Sequence, residues 1–387
     1  MTAKLNAILD AATRGGIPGV VAMAATAAGV IYQGASGVRD IATGVPMTAD
    51  SVFWLASMTK PVTSVAAMQL VEQGRLALDA PIADVLPALR GRQVLDGFDA
   101  GGAPVLRPAR TEMSLRQLLT HTSGYGYETW NADLVRAHAA TGLPARAQDW
   151  EQLAREPLLF DPGTDWNYSI STDVVGKAVE AASGMKLGAY LADHVLGPLG
   201  MDDTGFAPTA AMRARAVTMH ARQPDGRAAA TDIDPTAGRE FMDGGGGLRG
   251  TAADYMRFLR MFLNGGTLDG ARVLAPETVT MMGRNQIGDL VGRPMRSGMA
   301  HMSQDADFFP GMEQKWGLGF LINTAPAPSG RSAGGLAWAG LGNTYFWIDP
   351  ARGVAGVVLG QLFPFADPAM LELLWAFEAG VNGSVHA

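Results

Sequence analysis

Ser57 and Lys60 stand three residues apart in the stretch Phe53-Trp54-Leu55-Ala56-Ser57-Met58-Thr59-Lys60. On an α-helix that spacing puts both side chains on one face, within reach of each other. A serine hydroxyl is a poor nucleophile until a neighbouring group takes its proton. A lysine amine can take it when burial and nearby positive charge or dipole lower its pKa. The surroundings favour burial: Val52 to Ala56 is an apolar run, and Pro61 suits a first helical turn. Val62, Val65, Ala66, Met68, Leu70 and Val71 then keep a helical apolar face up to Gly74. Ser57 is therefore expected at the buried N-terminus of a core helix, where free backbone N–H groups favour negative charge. Spacing alone leaves the plainer reading open, in which Ser57 caps the helix and Lys60 is solvated. The same spacing recurs at Ser183 and Lys186, but Gly184 stands where a helix would end, so that pair straddles a terminus.

Three further stretches hold chemistry-bearing residues. His121 opens the loop His121-Thr122-Ser123-Gly124-Tyr125-Gly126-Tyr127; it is a candidate base, although a histidine after a helix more often caps carbonyls. Tyr168 follows the turn Asp161-Pro162-Gly163 and, taken by itself, reads as a packing tyrosine. Gly244 to Gly247 lacks the lysine and hydroxyl register of a phosphate loop and reads instead as a close backbone approach. The six histidines (His121, His138, His194, His220, His301, His386) show no metal-ligand spacing, so neither metal nor cofactor is expected.

The elements that must position these residues fall into two textures. The chain opens with a short helix from Leu5 to Ala12. Two strands follow, Gly19 to Ala27 and Val30 to Val38, joined by a turn at Ala28-Gly29, and then the Ser57 helix. From 79 to 239 strand-like runs almost vanish and helical patterns alternate with Gly/Pro/Asp loops: Ile82 to Leu86, Ser114 to Leu119, Trp150 to Arg155, Thr172 to Ala182 and Leu187 to Leu196. Gln286 to Gly311 is an irregular, Met-rich loop placed near the site. Strands return at Trp316 to Ile322, Leu336 to Gly340, Asn343 to Ile348 and Val354 to Leu359, before a closing helix over Leu371 to Val381. An α+β protein is expected, with 1–78 and 240–387 forming an antiparallel sheet with flanking helices and 79–239 an inserted helical lobe.

Composition narrows the classes. The chain has 387 residues, 48% of them hydrophobic and 17% charged, enough for a large core. A net charge of −7 without any Lys/Arg-rich run argues against nucleic acid as a partner. The absence of cysteine excludes thiolate catalysis and disulfides. No leader pattern and no run long enough to span a bilayer are visible, so a cytoplasmic protein is expected, with a mature exported form reading the same.

Taken together, the motifs resemble the serine β-lactamase-related group: class C β-lactamases, DD-peptidases and family VIII carboxylesterases. Phe53-x-x-Ala56-Ser57-Met58-Thr59-Lys60 is similar to the group's Ser-x-x-Lys motif, and Leu118-Leu119-Thr120-His121-Thr122-Ser123-Gly124 to its helix-to-loop signature. Tyr168-Ser169-Ile170 stands where class C enzymes carry Tyr-x-Asn and family VIII esterases Tyr-Ser-x, and Gly244 to Leu248 also recurs. The resemblance implies a β-lactamase/transpeptidase-like fold with the active site in the cleft between sheet and helical lobe. It implies Ser57, Lys60 and Tyr168 as catalytic residues, with the base left open between Lys60 and Tyr168. The oxyanion is expected on the backbone N–H groups of Ser57 and, by strand register, Leu341. Tyr127, Trp338, Ala339 and Gly340 are expected to line the substrate pocket. Where the group's lactamases and peptidases have Lys-Thr-Gly, this chain reads Trp338-Ala339-Gly340, and Ile170 replaces an Asn. Loss of both carboxylate- and amide-binding groups favours family VIII: a serine carboxylesterase acting on small, mostly apolar esters. A β-lactamase, a D-amino peptidase or amidase, an acyltransferase or a non-catalytic penicillin-binding-like module are the alternatives. No Gly-x-Ser-x-Gly elbow is present, since Gly34-Ala35-Ser36-Gly37 breaks off at Val38.

Overall fold

The computed structural model describes residues 1–144, 147–236 and 242–385. The expected boundary between 239 and 240, and His386, lie outside the described residues. Strands β1 (Gly19–Thr26), β2 (Val30–Asp40) and β3 (Val45–Pro46) form one side of a single sheet; β4 (Gln314–Trp316), β5 (Leu321–Asn323), β6 (Leu336–Gly340), β7 (Thr344–Asp349) and β8 (Val354–Leu359) form the rest. The order across the sheet is β4-β5-β6-β7-β8-β1-β2-β3, with every neighbouring pair antiparallel. The sheet therefore closes through β1 pairing with β8, elements from opposite ends of the chain.

Central strands are apolar on both faces because both faces are covered. Every residue of β7 and β8 is buried, whereas β2 alternates toward solvent. Helices α1 (Thr2–Arg14) and α5 (Pro368–Val385) pack together on one face, and α4 (Ala252–Leu263) lies on β1 and β8. Helix α2 (Thr59–Glu72) is buried around nearly its whole circumference, from Thr59 to Leu70, as befits a helix inside a core. It packs on α3 (Ser171–Ser183).

Two expectations change. The Trp316 to Ile322 run is not one strand: Gly319, at φ +99, and the Gly317 N–H donated to Phe320 O fold it into a hairpin between β4 and β5. The stretch 79–239 also carries β-structure, a hairpin of Gln93–Phe98 with Pro104–Pro108, and His220–Arg222 paired with Ala228–Ala230. The first hairpin is half-exposed on both strands and bulged beside Gly97, so neither an apolar run nor a clean alternation announces it. A helix occupies Trp150–Arg155 as expected, and helices at Leu115–Leu119 and Ser171–Ser183 fall within one residue of the expected Ser114 to Leu119 and Thr172 to Ala182. The Ser183/Lys186 pair straddles the end of α3, where Gly184 is left-handed at φ 74.

Candidate active site

Ser57 sits in a 3₁₀ turn, Ala56–Met58, that runs directly into α2. Ala56, immediately before it, is buried and left-handed at φ 49. A non-glycine residue held there costs about 1–3 kcal/mol, supplied by the packing around the nucleophile turn. Lys60 follows in the first turn of α2 and is 1% exposed. Its Nζ lies 3.1 Å from Ser57 Oγ, 3.0 Å from Tyr127 Oη and 2.8 Å from the Gly245 carbonyl oxygen.

Two phenols meet this amine differently. Tyr127, from the loop after Leu115–Leu119, touches it with its hydroxyl. Tyr168 is buried and lays its ring over the amine, 4.9 Å from Nζ to the ring centre, while its Oη accepts a hydrogen bond from Trp338 Nε1 at 3.1 Å. Ring centres of Tyr127 and Tyr168 are 5.3 Å apart. Sequence reasoning grouped Tyr168 with Lys60 and put Tyr127 in the pocket; the hydroxyl in hydrogen-bond contact with Lys60 is that of Tyr127.

The glycine run lies along the start of α2, and its carbonyls are taken in succession: Gly244 O by Thr63 Oγ1 at 2.7 Å, Gly245 O by Lys60, and Gly246 O by Trp54 Nε1 at 2.7 Å. A Cβ on Gly244 would come within 2.8 Å of Thr172 O, which is the close backbone approach read from the sequence.

Ser57 opens onto a cavity of about 290 Å³ walled by Trp54, Tyr127, Trp130, Leu153, Ile170 and Leu341 among others. Met299, His301 and Met302 complete it, from the Met-rich loop expected near the site. Leu341 thus lines the same cavity as Ser57. Trp338, Tyr168, Ala339 and Gly340 do not line this cavity. Gly340 instead presses β6 against the nucleophile turn: a Cβ there would come 2.3 Å from Leu55 O and 3.0 Å from Ala56 Cβ.

His121 is fully enclosed, with Nδ1 3.0 Å from Ser169 Oγ. Burial, and then the Lys60 charge, push its imidazole well below the ordinary histidine range, so it is neutral. Carboxylates also reach the cavity, and sequence reasoning missed them: Asp173, Asp243, Glu128 and Glu156. Between the last two sits buried His138, with Nε2 2.6 Å from Glu156 and Nδ1 3.0 Å from Glu128. Burial opposes its charge, but the two carboxylates outweigh it and raise the imidazole to about 9. The three side chains could each offer a metal ligand, their ligand atoms lying within 4.8 Å of one another. Both ring nitrogens already face a carboxylate, which makes the cluster an ion triad. Only the Asn131-capped helix Ala132–Thr141, carrying His138 at its basic end, was a local hint of it.

A family profile described as Beta-lactamase matches residues 5–379. The chain belongs to the beta-lactamase family. It is 34% identical over 390 residues to Esterase EstB of Burkholderia gladioli, covering 93% of this chain and 90% of that one. It is 32% identical over 383 residues to monacolin J acid methylbutanoyltransferase of Aspergillus terreus (strain NIH 2624 / FGSC A1156), covering 94% and 91%. The solved structure of a mutant simvastatin synthase from Aspergillus terreus superposes with a TM-score of 0.86 at 32% identity, covering 99% of this chain and 96% of that one. The β-lactamase/transpeptidase-like architecture and the serine-hydrolase-type enzyme class follow from this membership. Among the described residues, no helix is long and apolar enough to cross a membrane.

Proposed function

We propose that the protein is a serine carboxylesterase that cleaves small, mostly apolar esters through an acyl-enzyme on Ser57. The observation that carries this is the Lys60 amine 3.1 Å from Ser57 Oγ at the wall of an apolar cavity. Lys60 takes the hydroxyl proton as Ser57 Oγ attacks the ester carbonyl. The backbone N–H groups of Ser57 and Leu341 are assigned to the oxyanion. The proton then passes to the leaving alcohol, and water or a second alcohol releases the acyl group. Tyr168, whose ring lies over the Lys60 amine and whose hydroxyl accepts from Trp338, is assigned to that proton transfer together with Lys60. Tyr127 both contacts the amine and walls the substrate cavity.

Charge supports esters over β-lactams. Among the described residues that line the cavity there is no lysine or arginine, and four are acidic. A lactam bearing a carboxylate would meet no cation there, and like charge costs binding. The cavity volume suits a compact acyl or alcohol group. Acyl transfer to a second alcohol is the companion reading, favoured by the same apolar walls, which disfavour water as the acceptor; one of the relatives is itself named a methylbutanoyltransferase.

The test is a short-chain p-nitrophenyl ester beside a chromogenic cephalosporin. Wild-type protein is expected to turn over the ester far faster, and Ser57→Ala to lose both that activity and fluorophosphonate labelling while staying folded by circular dichroism. Ester turnover surviving in Ser57→Ala refutes the assignment of the nucleophile.

A further inference from the structure

The carbonyl that holds Lys60 belongs to a peptide gripped from behind. The Gly245 N–H is 2.8 Å from Asp173 Oδ1 and 3.1 Å from Asp243 Oδ1. Asp173 lies in the first turn of α3 and Asp243 opens the glycine run; they are 3% and 6% exposed. Both carboxyl groups thus converge on one N–H, and two like charges held this close and out of water disfavour each other's ionisation. Burial first, and then the Asp243 charge, push the Asp173 carboxyl well above the ordinary carboxylate range. Lys60, facing it from α2, pulls the other way and is outweighed.

We propose that Asp173 and Asp243 share a single proton and act as positioning residues, holding the Lys60 amine at Ser57 through the Gly245 peptide. The inference rests on the reading of Ser57 and Lys60 given above. Its chemical sense lies in the charge it sets. A pair with one proton carries one negative charge, which balances the ammonium that Lys60 becomes on taking the Ser57 proton. Neither acid touches the substrate's reacting atoms in this scheme.

Infrared difference spectroscopy and kinetics test it together. Wild-type protein near neutral pH is expected to show the carbonyl stretch of a protonated carboxyl group, and Asp173→Asn to lose it. Asp173→Leu removes one of the two acceptors of the Gly245 N–H and the polar group facing Asp243. Its kcat is expected to fall about 10²-fold, the scale of a misplaced catalytic group, with KM moving less than about threefold. Asp173→Asn, which can accept from Gly245 and donate to Asp243, should recover most of that loss. The proposal is overturned if wild type lacks the protonated-carboxyl band. It is equally overturned if Asp173→Asn is as impaired as Asp173→Leu, or if folded Asp173→Leu keeps wild-type kcat. Should Asp173→Leu not fold, the band and the Asp173→Asn rate still decide. Failure of the wild type to cleave any ester instead sinks the functional reading, and the band is judged by itself.

Discussion

A charged lysine has three hydrogens, and Lys60 Nζ has three acceptors: Ser57 Oγ, Tyr127 Oη and Gly245 O. Neutral, it keeps two hydrogens and one lone pair. The carbonyl cannot donate, so the lone pair must face one of the two hydroxyls. Tyr127 therefore competes with Ser57 for it, and Tyr168, hydrogen-bonded elsewhere, does not. The two phenols should separate in kinetics. Tyr168 lays its ring over the Lys60 amine and does not line the cavity, so Tyr168→Phe is expected to lower kcat by about 10²-fold or more, the usual worth of a group taking part in proton transfer, and to leave KM alone. Tyr127 lines the cavity, so Tyr127→Phe should move kcat and KM together. A Tyr168→Phe effect confined to KM would reduce that residue to packing. His138 gives a second prediction at this scale. Its imidazole is raised from 6.5 to about 9 in the folded protein. A base whose folded value is raised contributes stability that is fully present below the unfolded value and is lost as pH rises through the folded one. Wild-type Tm should therefore fall relative to His138→Gln between pH 6.5 and 9. Parallel Tm curves across that window would remove the charge from His138.

At the scale of elements, the site depends on β6 lying flush against the nucleophile turn. Thr344 Oγ1 donates to Leu55 O at 3.1 Å, and the missing side chain of Gly340 lets β6 reach the same carbonyl. Gly340→Ala is expected to push β6 and the Leu341 N–H outward and to cut kcat at least tenfold, with the protein still folded; displacements near 1 Å have that effect or more. Unchanged turnover would release Leu341 from the oxyanion role. The elements themselves were legible where burial is two-sided: Val354–Leu359 and Leu336–Gly340 have the bounds the apolar runs suggest. Legibility failed where a strand is half-exposed, as in the 93–108 hairpin, or where glycines fold one apolar run into two strands, as at Gly317–Phe320. Ser57 and Lys60 could be read because one helical turn carries both. Tyr127 and Gly245 meet the same amine from 67 and 185 residues away, a convergence that no local spacing records. Asp173 likewise looks like an ordinary acidic residue in a helix's first turn until Asp243 is seen beside it.

Over the whole molecule, the strand edging the site is tied to the helix that ends the chain. Helix α5 packs against α1 across the outer face, with Gly380 pressed against Leu5. Within α5, Glu378 is reached by Arg331 from the connection between β5 and β6, Nε to Oε1 at 2.5 Å and Nη2 to Oε2 at 2.9 Å. Both side chains are buried, at 4% and 1% exposure, and the pairing is bidentate. Two charges so far from water gain from each other about what their desolvation costs, so the pair adds little net stability; losing one partner is another matter. Arg331→Met strands the Glu378 carboxylate in the core and is expected to destabilise the protein by about 3–5 kcal/mol. In denaturant titrations this should appear as a lowered midpoint at unchanged slope. Replacing both, as Arg331→Met with Glu378→Leu, should recover most of the loss, because no charge is then left unpaired. If the double variant is no more stable than Arg331→Met, the guanidinium contributes packing or contacts beyond its partner, among them its face 5.3 Å from the Phe309 ring.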